Sequence, residues 1–233
     1  AARLSAPPLR GALRHLDLAW NHLGDAAAEA VALGWPEGLR TLCLDWNHIG
    51  GAGAAHLAAA LGRPRGAALE SLDMRSNPLG NAGVAALCEA VAQHPGIQWL
   101  GLGETSMDHA GAGALAWLAA HPRLRGLDIG ENALVDESCG AVAQVIAGAP
   151  NLRRLVLRGY LFERRRIGDE GGQVLAAAVA QCCAGAEGRF DLELDYQLVG
   201  CKTAAAMARC CNAWSRFSAL NTEVSTLGAT ALA

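Results

Sequence analysis

One short phrase recurs along this chain, and it leaves few folds open. Leu39-Arg40-Thr41-Leu42-Cys43-Leu44-Asp45-Trp46-Asn47-His48-Ile49-Gly50 reads L-x-x-L-x-L-x-x-N-x-I-G. The stretches from Leu13 to Gly24, Leu69 to Gly80 and Leu124 to Val135 repeat it. Counted from the first leucine, copies begin at Leu13, Leu39, Leu69, Ile97, Leu124 and Leu152, at steps of 26, 30, 28, 27 and 28 residues. A near-constant period in this range belongs to units that bury their apolar faces only by stacking on one another, which makes a solenoid. A seventh copy is degenerate: Arg189 stands at the first leucine position, and Leu192, Leu194, Gln197, Val199 and Gly200 follow in register. An eighth, weaker still, is counted from Phe217 through Leu220, Thr222, Ser225, Leu227 and Gly228.

Each copy has two halves. In the first, as in Leu42-Cys43-Leu44, buried and exposed positions alternate, which predicts a short strand. The asparagine that follows (Asn21, Asn47, Asn77, Asn132) stands where the chain leaves the strand, so its amide is expected to satisfy turn backbone and to form a ladder. Gly24, Gly50, Gly80 and Gly168 suit the bend into the second half. That half is a predicted helix, for example Ala26 to Leu33, Ala52 to Leu61 and Ala82 to Gln93. In every copy a small residue (Ala27, Gly53, Gly83, Gly111, Ser138, Gly171, Thr203) is followed four positions on by a larger apolar one (Val31, Leu57, Leu87, Leu115, Val142, Leu175, Met207). The pair shares one helix face, the small residue for close approach to the sheet and the large one for the core. Helices end before Gly or Pro, as at Gly34-Trp35-Pro36, His94-Pro95 and His121-Pro122. Strands stack at about 4.8 Å and helices need roughly 8–10 Å, so the stack must curve, with parallel strands on the concave face and helices on the convex one.

This phrase with its Ala- and Gly-rich helix resembles the leucine-rich repeats of the ribonuclease-inhibitor type, the subclass also present in RanGAP and in the sensor arrays of NLR receptors. The resemblance covers about residues 13 to 228. It is strong in copies one to three and five, and weak at Ile97 to Thr105, where Thr105 replaces Asn, and in the last two copies. It implies an α/β horseshoe of about seven to eight repeats, a single domain over residues 1–233 with residues 1–12 as an N-terminal extension. It implies a binding surface rather than a particular chemistry.

Composition narrows the partner classes. Apolar residues make up 52% of the chain but aromatics only 5%, so Ala and Gly carry the excess and backbones are expected to pack closely. A net charge of −3 gives no specific signal for nucleic acid. Lys202 is the only lysine among 19 basic residues, which fits a GC-rich coding bias better than a selected arginine surface. No apolar run reaches the roughly 18–20 residues of a membrane span. The opening Ala1 to Arg10 is basic and free of acids, as targeting remnants are, so an organelle interior stands beside a cytoplasmic or other reducing compartment. The ends carry no recognisable caps, which leads to the expectation that further chain or another subunit covers one of them.

The eight cysteines read as small buried residues. The vicinal pairs Cys182-Cys183 and Cys210-Cys211 leave metal or disulfide chemistry open, although the C-x-x-C spacing of zinc sites is missing. No cofactor is expected. Asp17, Asp73 and Asp128 are separated by intervening repeats, too far apart for paired acid–base work. No nucleophile or phosphate-binding motif appears.

Candidate contact residues come from the inner face. Trp20 and Trp46 fall on neighbouring strands, flanked by Asp17 and Asp45, in the manner of an interface anchor with a polar rim. Folding of both indoles onto the turn is the alternative. Arg75 and Trp99 extend the set. Gly101, Gly103, Gly126 and Gly130 leave the middle of the face bare, and Arg154 and Arg158 stand opposite Asp191 and Asp195 as expected surface ion pairs. Copy six carries an insertion with Tyr160, Phe162, Arg164, Arg165 and Arg166, a candidate contact loop. The expected function is protein–protein interaction without catalysis, as a scaffold or accessory subunit. The alternatives are an enzyme regulator (a RanGAP-like activator or ribonuclease-inhibitor-like blocker) and a sensor array of an immune or effector protein.

Overall fold

The computed structural model describes residues 13–159, 166–182, 190–209 and 214–219. Eight strands form one parallel sheet in sequence order: β1 His15–Asp17, β2 Thr41–Cys43, β3 Ser71–Asp73, β4 Trp99–Gly101, β5 Gly126–Asp128, β6 Arg154–Val156, β7 Phe190–Glu193 and β8 Trp214–Ser218. The second leucine of each phrase is the central residue of its strand, and Leu16, Leu42, Leu72, Leu100, Leu127, Leu155 and Leu192 pair in line. All are buried, because the pleat turns them toward the helices.

The helices are α1 Asp25–Leu33, α2 Gly51–Leu61, α3 Gly80–Ala92, α4 Cys139–Gly148, α5 Asp169–Cys182 and α6 Cys201–Ala208. The first three begin one or two residues earlier than the pattern predicts. The fourth repeat departs further: Gly111–Ala120 is a 3₁₀ helix, which packs between α3 and α4. The large residue of each small–large pair is buried in every repeat. The small residue has a different reason from the expected one. A Cβ on Gly53 would lie 2.6 Å from the Asp25 carboxylate of the preceding repeat, and one on Gly171 would lie 2.6 Å from Asp136. Neighbouring repeats, rather than the sheet, demand the small side chain.

Those carboxylates cap helices across repeats. The residues that precede α1, α2 and α6 are glycines, and no side chain of their own repeat caps them. Asp25 Oδ1 instead accepts the Gly50 and Gly53 N–H groups at 2.7 and 3.0 Å. Asp136 does the same for Gly168 and Gly171, and Asp169 for Gly200 and Thr203. An anion at a helix N-terminus satisfies donors that the helix cannot and complements its dipole. Burial pushes the Asp169 carboxyl up, but the Thr203 and Gly200 donors outweigh it and hold it below its ordinary value.

The asparagine ladder forms as expected. Asn47 accepts from Leu23 N–H of the preceding repeat and donates to Leu18 and Leu44 carbonyls; Asn77 accepts from Ile49 N–H and donates to Leu44 and Met74 carbonyls. Gln197 takes the same part in repeat seven, accepting from Ile167 N–H at 2.8 Å. The eighth repeat is corrected: Phe217 pairs with Leu192, after a register shift at Phe190/Asp191, and so stands at the second leucine position. The strand therefore comes three residues before the one expected from a count starting at Phe217.

A second ladder runs where helices return to strands. His94 and His121 are buried. Their Nδ1 atoms accept backbone N–H from Gly96 and Leu124, so each Nε2 carries the proton, and these donate at 2.9 Å to Gly66 and His94 carbonyls one repeat back. Burial lowers the His121 pKa, and so favours the neutral ring.

Candidate functional site

In six repeats the residue just before the ladder position has left-handed backbone: φ is 55° at Trp20, 54° at Trp46, 52° at Ser76, 53° at Glu104, 54° at Glu131 and 60° at Tyr196. The chain must leave the strand abruptly there, and these side chains stand in a row along the rim. Glycine or asparagine suits this conformation best. Tryptophan does not, so its presence twice has a cause other than the turn.

Trp20 and Trp46 stack with ring centroids 4.2 Å apart and planes 8° from parallel. They remain 70% and 46% exposed, so the stack projects into solvent rather than closing over the turn. Beside it, His22 and His48 stack at 5.2 Å, with Nδ1 of one 3.0 Å from Nε2 of the other. An open cavity borders these four rings together with Ser76, Pro78 and Glu104.

The other candidates are more committed to the fold. Asp17 is exposed but accepts the Ala19 N–H, two residues past the strand, at 3.0 Å. Asp45 accepts from the Cys43 thiol at 2.8 Å. Arg75 binds Asp73 through Nε and Nη2, with Nη2 at 2.6 Å from Oδ2, and reaches Asp128 with Nη1 at 3.4 Å. Asp73 thereby holds Arg75 firmly protonated. The bare centre of the face is thus a correction. A Cβ at Gly101 would meet Asp73 at 2.6 Å, and one at Gly103 would meet Asp128 at 3.0 Å; the glycines make room for this bridge. Asp73 and Asp128, two strands apart, are joined through Arg75. Burial pushes the Asp128 carboxyl up, opposed by the Gly130 N–H and by Arg75.

Trp99 covers Gly126, and the Arg154 guanidinium lies 5.8 Å from its ring centroid. Arg154 stands opposite Asp191 in the register, as expected, while Arg158 Nε lies 3.2 Å from Glu193. Arg166 folds back and donates to the Tyr196 carbonyl at 2.9 Å, which ties the end of the insertion to repeat seven. Tyr160, Phe162, Arg164 and Arg165 lie outside the described residues, as do Cys183, Cys210 and Cys211. Cys43, Cys88, Cys139 and Cys182 are free thiols.

Among the described residues one trio of donor atoms, from Cys43, Asp45 and Asp73, lies within 4.8 Å. Its carboxylates are already committed, Asp45 to the Cys43 thiol and Asp73 to Arg75, and burial with the Asp45 hydrogen bond pushes the thiol up to about 12. Ser76 and Glu104, absent from the sequence-based candidates, are brought to the tryptophans: Ser76 Oγ donates to Glu104 Oε2 at 2.6 Å. Their shared repeat position with Trp20 and Trp46 is the signal that marks them.

Strands in sequence order, each followed by a helix and closed by a ladder of polar side chains, define an α/β repeat solenoid. Its architecture is that of a leucine-rich-repeat solenoid. The Leucine Rich repeat family model matches residues 13–32, 39–58 and 68–88, the first three copies. Among solved structures the chain is similar to the leiomodin-1 Actin-Binding Site 2, at 17% identity and a TM-score of 0.46 over 56% of this chain and 72% of that one. It is also similar to an internalin (inlF) from Listeria monocytogenes str. 4b F2365, at 12% identity and a TM-score of 0.32 over 95% and 85%. No curated protein matches the sequence. Leucine-rich repeats generally mediate protein–protein interaction and are typically not catalytic. Among the described residues no helix is long and apolar enough to cross a membrane.

Proposed function

We propose that this chain is a non-catalytic protein-binding module that docks its partner on the N-terminal rim of the inner face, within a larger assembly. The observation that carries this is the exposed Trp20–Trp46 stack. Two indoles held parallel in solvent, at positions where the backbone prefers other residues, are the preorganised aromatic anchors that protein interfaces use. The helical second half of each repeat supports the ribonuclease-inhibitor-like subclass. The Asp73–Arg75–Asp128 bridge, which ties its carboxylates to a guanidinium, and the protonated Cys43 support the non-catalytic reading, and the free thiols support a reducing compartment.

The test is quantitative affinity purification from the native source with wild-type bait and with Trp20→Ala/Trp46→Ala bait. Selective loss of a stoichiometric partner from the double variant is expected. Retention of every specific partner would refute the assignment.

A further inference from the structure

Along the rim the row runs Trp20, Trp46, Ser76, Glu104, Glu131, one residue per strand. We propose that the gap at Ser76, between the free face of Trp46 and the Glu104 carboxylate, is a slot for an arginine side chain of the protein partner. This rests on the reading of the tryptophan stack as the docking surface.

Trp20 covers one face of Trp46. A cavity of about 250 Å³ touches Trp46, Ser76, Glu104 and Glu131 but not Trp20, so the opposite face of Trp46 bounds it. With strands about 4.8 Å apart, Trp46 and Glu104 stand roughly 9–10 Å apart along the row. That is backbone spacing; the Glu104 carboxylate leans toward Ser76, so a flat group stacked about 3.5 Å from the ring turns its N–H edge, not its face, to that carboxylate. Ser76 is small enough to leave the space open. Its hydroxyl holds Glu104 Oε2, which orients the carboxylate and leaves Oε1.

Charge selects the occupant. Arg75 and Arg158 line the same cavity; Asp73 and Asp128 hold Arg75, while Arg158 Nε lies 3.2 Å from Glu193 without a hydrogen bond. Glu104 and Glu131 have no salt-bridge partner among the described residues. A cation entering the slot meets both carboxylates and adds to the Arg158 and Arg75 charges that oppose the effect of burial on Glu131. Arginine fits better than lysine or a quaternary ammonium. Its guanidinium is flat, stacks on one indole face and donates in a fork to a carboxylate. An ammonium cage needs rings at angles to one another, and these two are parallel.

The test is an indole N–H NMR titration of the ¹⁵N-labelled protein, with the Trp46 signal assigned through Trp46→Phe. The probes are acetyl-Gly-Arg-Gly amide and the same peptide with citrulline, which keeps the shape and removes the charge. The arginine peptide should shift the Trp46 signal, with the citrulline peptide at least about fivefold weaker and Glu104→Gln weakening the arginine peptide by about two- to fivefold. Equal response to both peptides, or no change in Glu104→Gln, overturns the slot. If that happens while Trp20→Ala/Trp46→Ala still loses its protein partner, the docking surface stands and only the arginine chemistry falls. If the peptide behaves as expected but the partner ignores both tryptophans and Glu104, the docking reading falls and the slot has no part in it.

Discussion

The junction between repeats two and three and the one between repeats three and four are built differently at the same place. At the first, Asn77 reaches back to accept Ile49 N–H and to donate to the Leu44 carbonyl. At the second, Thr105 stands in the asparagine's position, and its shorter side chain stays with its own strand, donating to the Leu102 carbonyl. The backbone takes over: Gly80 N–H donates to the Thr105 carbonyl, with Gly80 at φ 63°, a conformation that glycine adopts without penalty. The capping anion changes as well. Asn81 occupies the position that Asp25 has in repeat one, and it binds Asp108, whose carboxylate accepts Ala110 and Gly111 N–H. The helix that follows is 3₁₀. The comparison teaches that the ladder side chain sets the phase between repeats. Where it is missing, the next helix starts differently.

The largest expected effect tests that directly. Asn77→Ala leaves the buried Ile49 N–H without its acceptor and should lower stability by about 2–3 kcal/mol. Thr105→Val should cost less than about 1 kcal/mol, because the Leu102 carbonyl keeps the Asn132 amide. Urea unfolding of both variants measures the difference, and equal losses would remove the distinction between the junctions.

Next in size is Asp25→Ala. It removes the acceptor for Gly50 and Gly53 N–H and the anion at the α2 N-terminus, for about 1–2 kcal/mol. Hydrogen exchange should quicken first in the opening turn of α2, although the mutated residue lies in α1. Uniform acceleration across α1 alone would show that the cap acts within its own repeat.

These caps mark the boundary of what the sequence made legible. Strand leucines, ladder asparagines and the small–large helix pair recur with the period of the structure they build, so Leu42, Asn47 and Leu57 declare their places. Asp25 does not. Its partners lie one repeat ahead, and a local search for an N-cap on α2 meets only Gly50. Gly101 and Gly103 were not legible for the same reason, since the carboxylates that a side chain there would meet, Asp73 and Asp128, stand on the neighbouring strands. The eighth repeat slipped because a bulge at Phe190/Asp191 and the aromatic Phe217 broke the count. On the rim, Trp20 and Trp46 were legible as neighbours, because one position per repeat becomes one row. The importance of Ser76 and Glu104 needed the ring orientation.

A smaller effect is spread over pH, and it concerns the opposite edge of the weak junction. There His121 Nε2–H donates to the His94 carbonyl and bridges repeats three and four. Burial lowers the His121 pKa, so the folded chain takes up the proton less readily than the unfolded one. Its contribution is complete above the unfolded value of about 6.5 and is lost as pH falls from there toward the folded pKa. Thermal melts between about pH 7.5 and pH 5 should show this decline, and His121→Gln, which keeps a donor and cannot titrate, should flatten it. An unchanged slope in the variant would move the origin elsewhere.

The smallest effect on stability is the one that separates building from binding. Trp46 stands at φ 54° in a row where the fold also accepts serine and glutamate. Asparagine tolerates left-handed backbone better than tryptophan does, while the stacking lost with Trp20 is worth about 0.5–1.5 kcal/mol. The two terms oppose each other, so Trp46→Asn should change unfolding free energy by less than about 1 kcal/mol. Partner retention should nevertheless collapse, since a free indole face and one wall of the slot disappear together. A variant that unfolds markedly earlier would show that the indole pair holds up the first two repeats. A stable variant that still binds would leave the stack without a function. Only the combination of near-native stability and lost binding fits a side chain kept at a conformationally unsuited position for its partner.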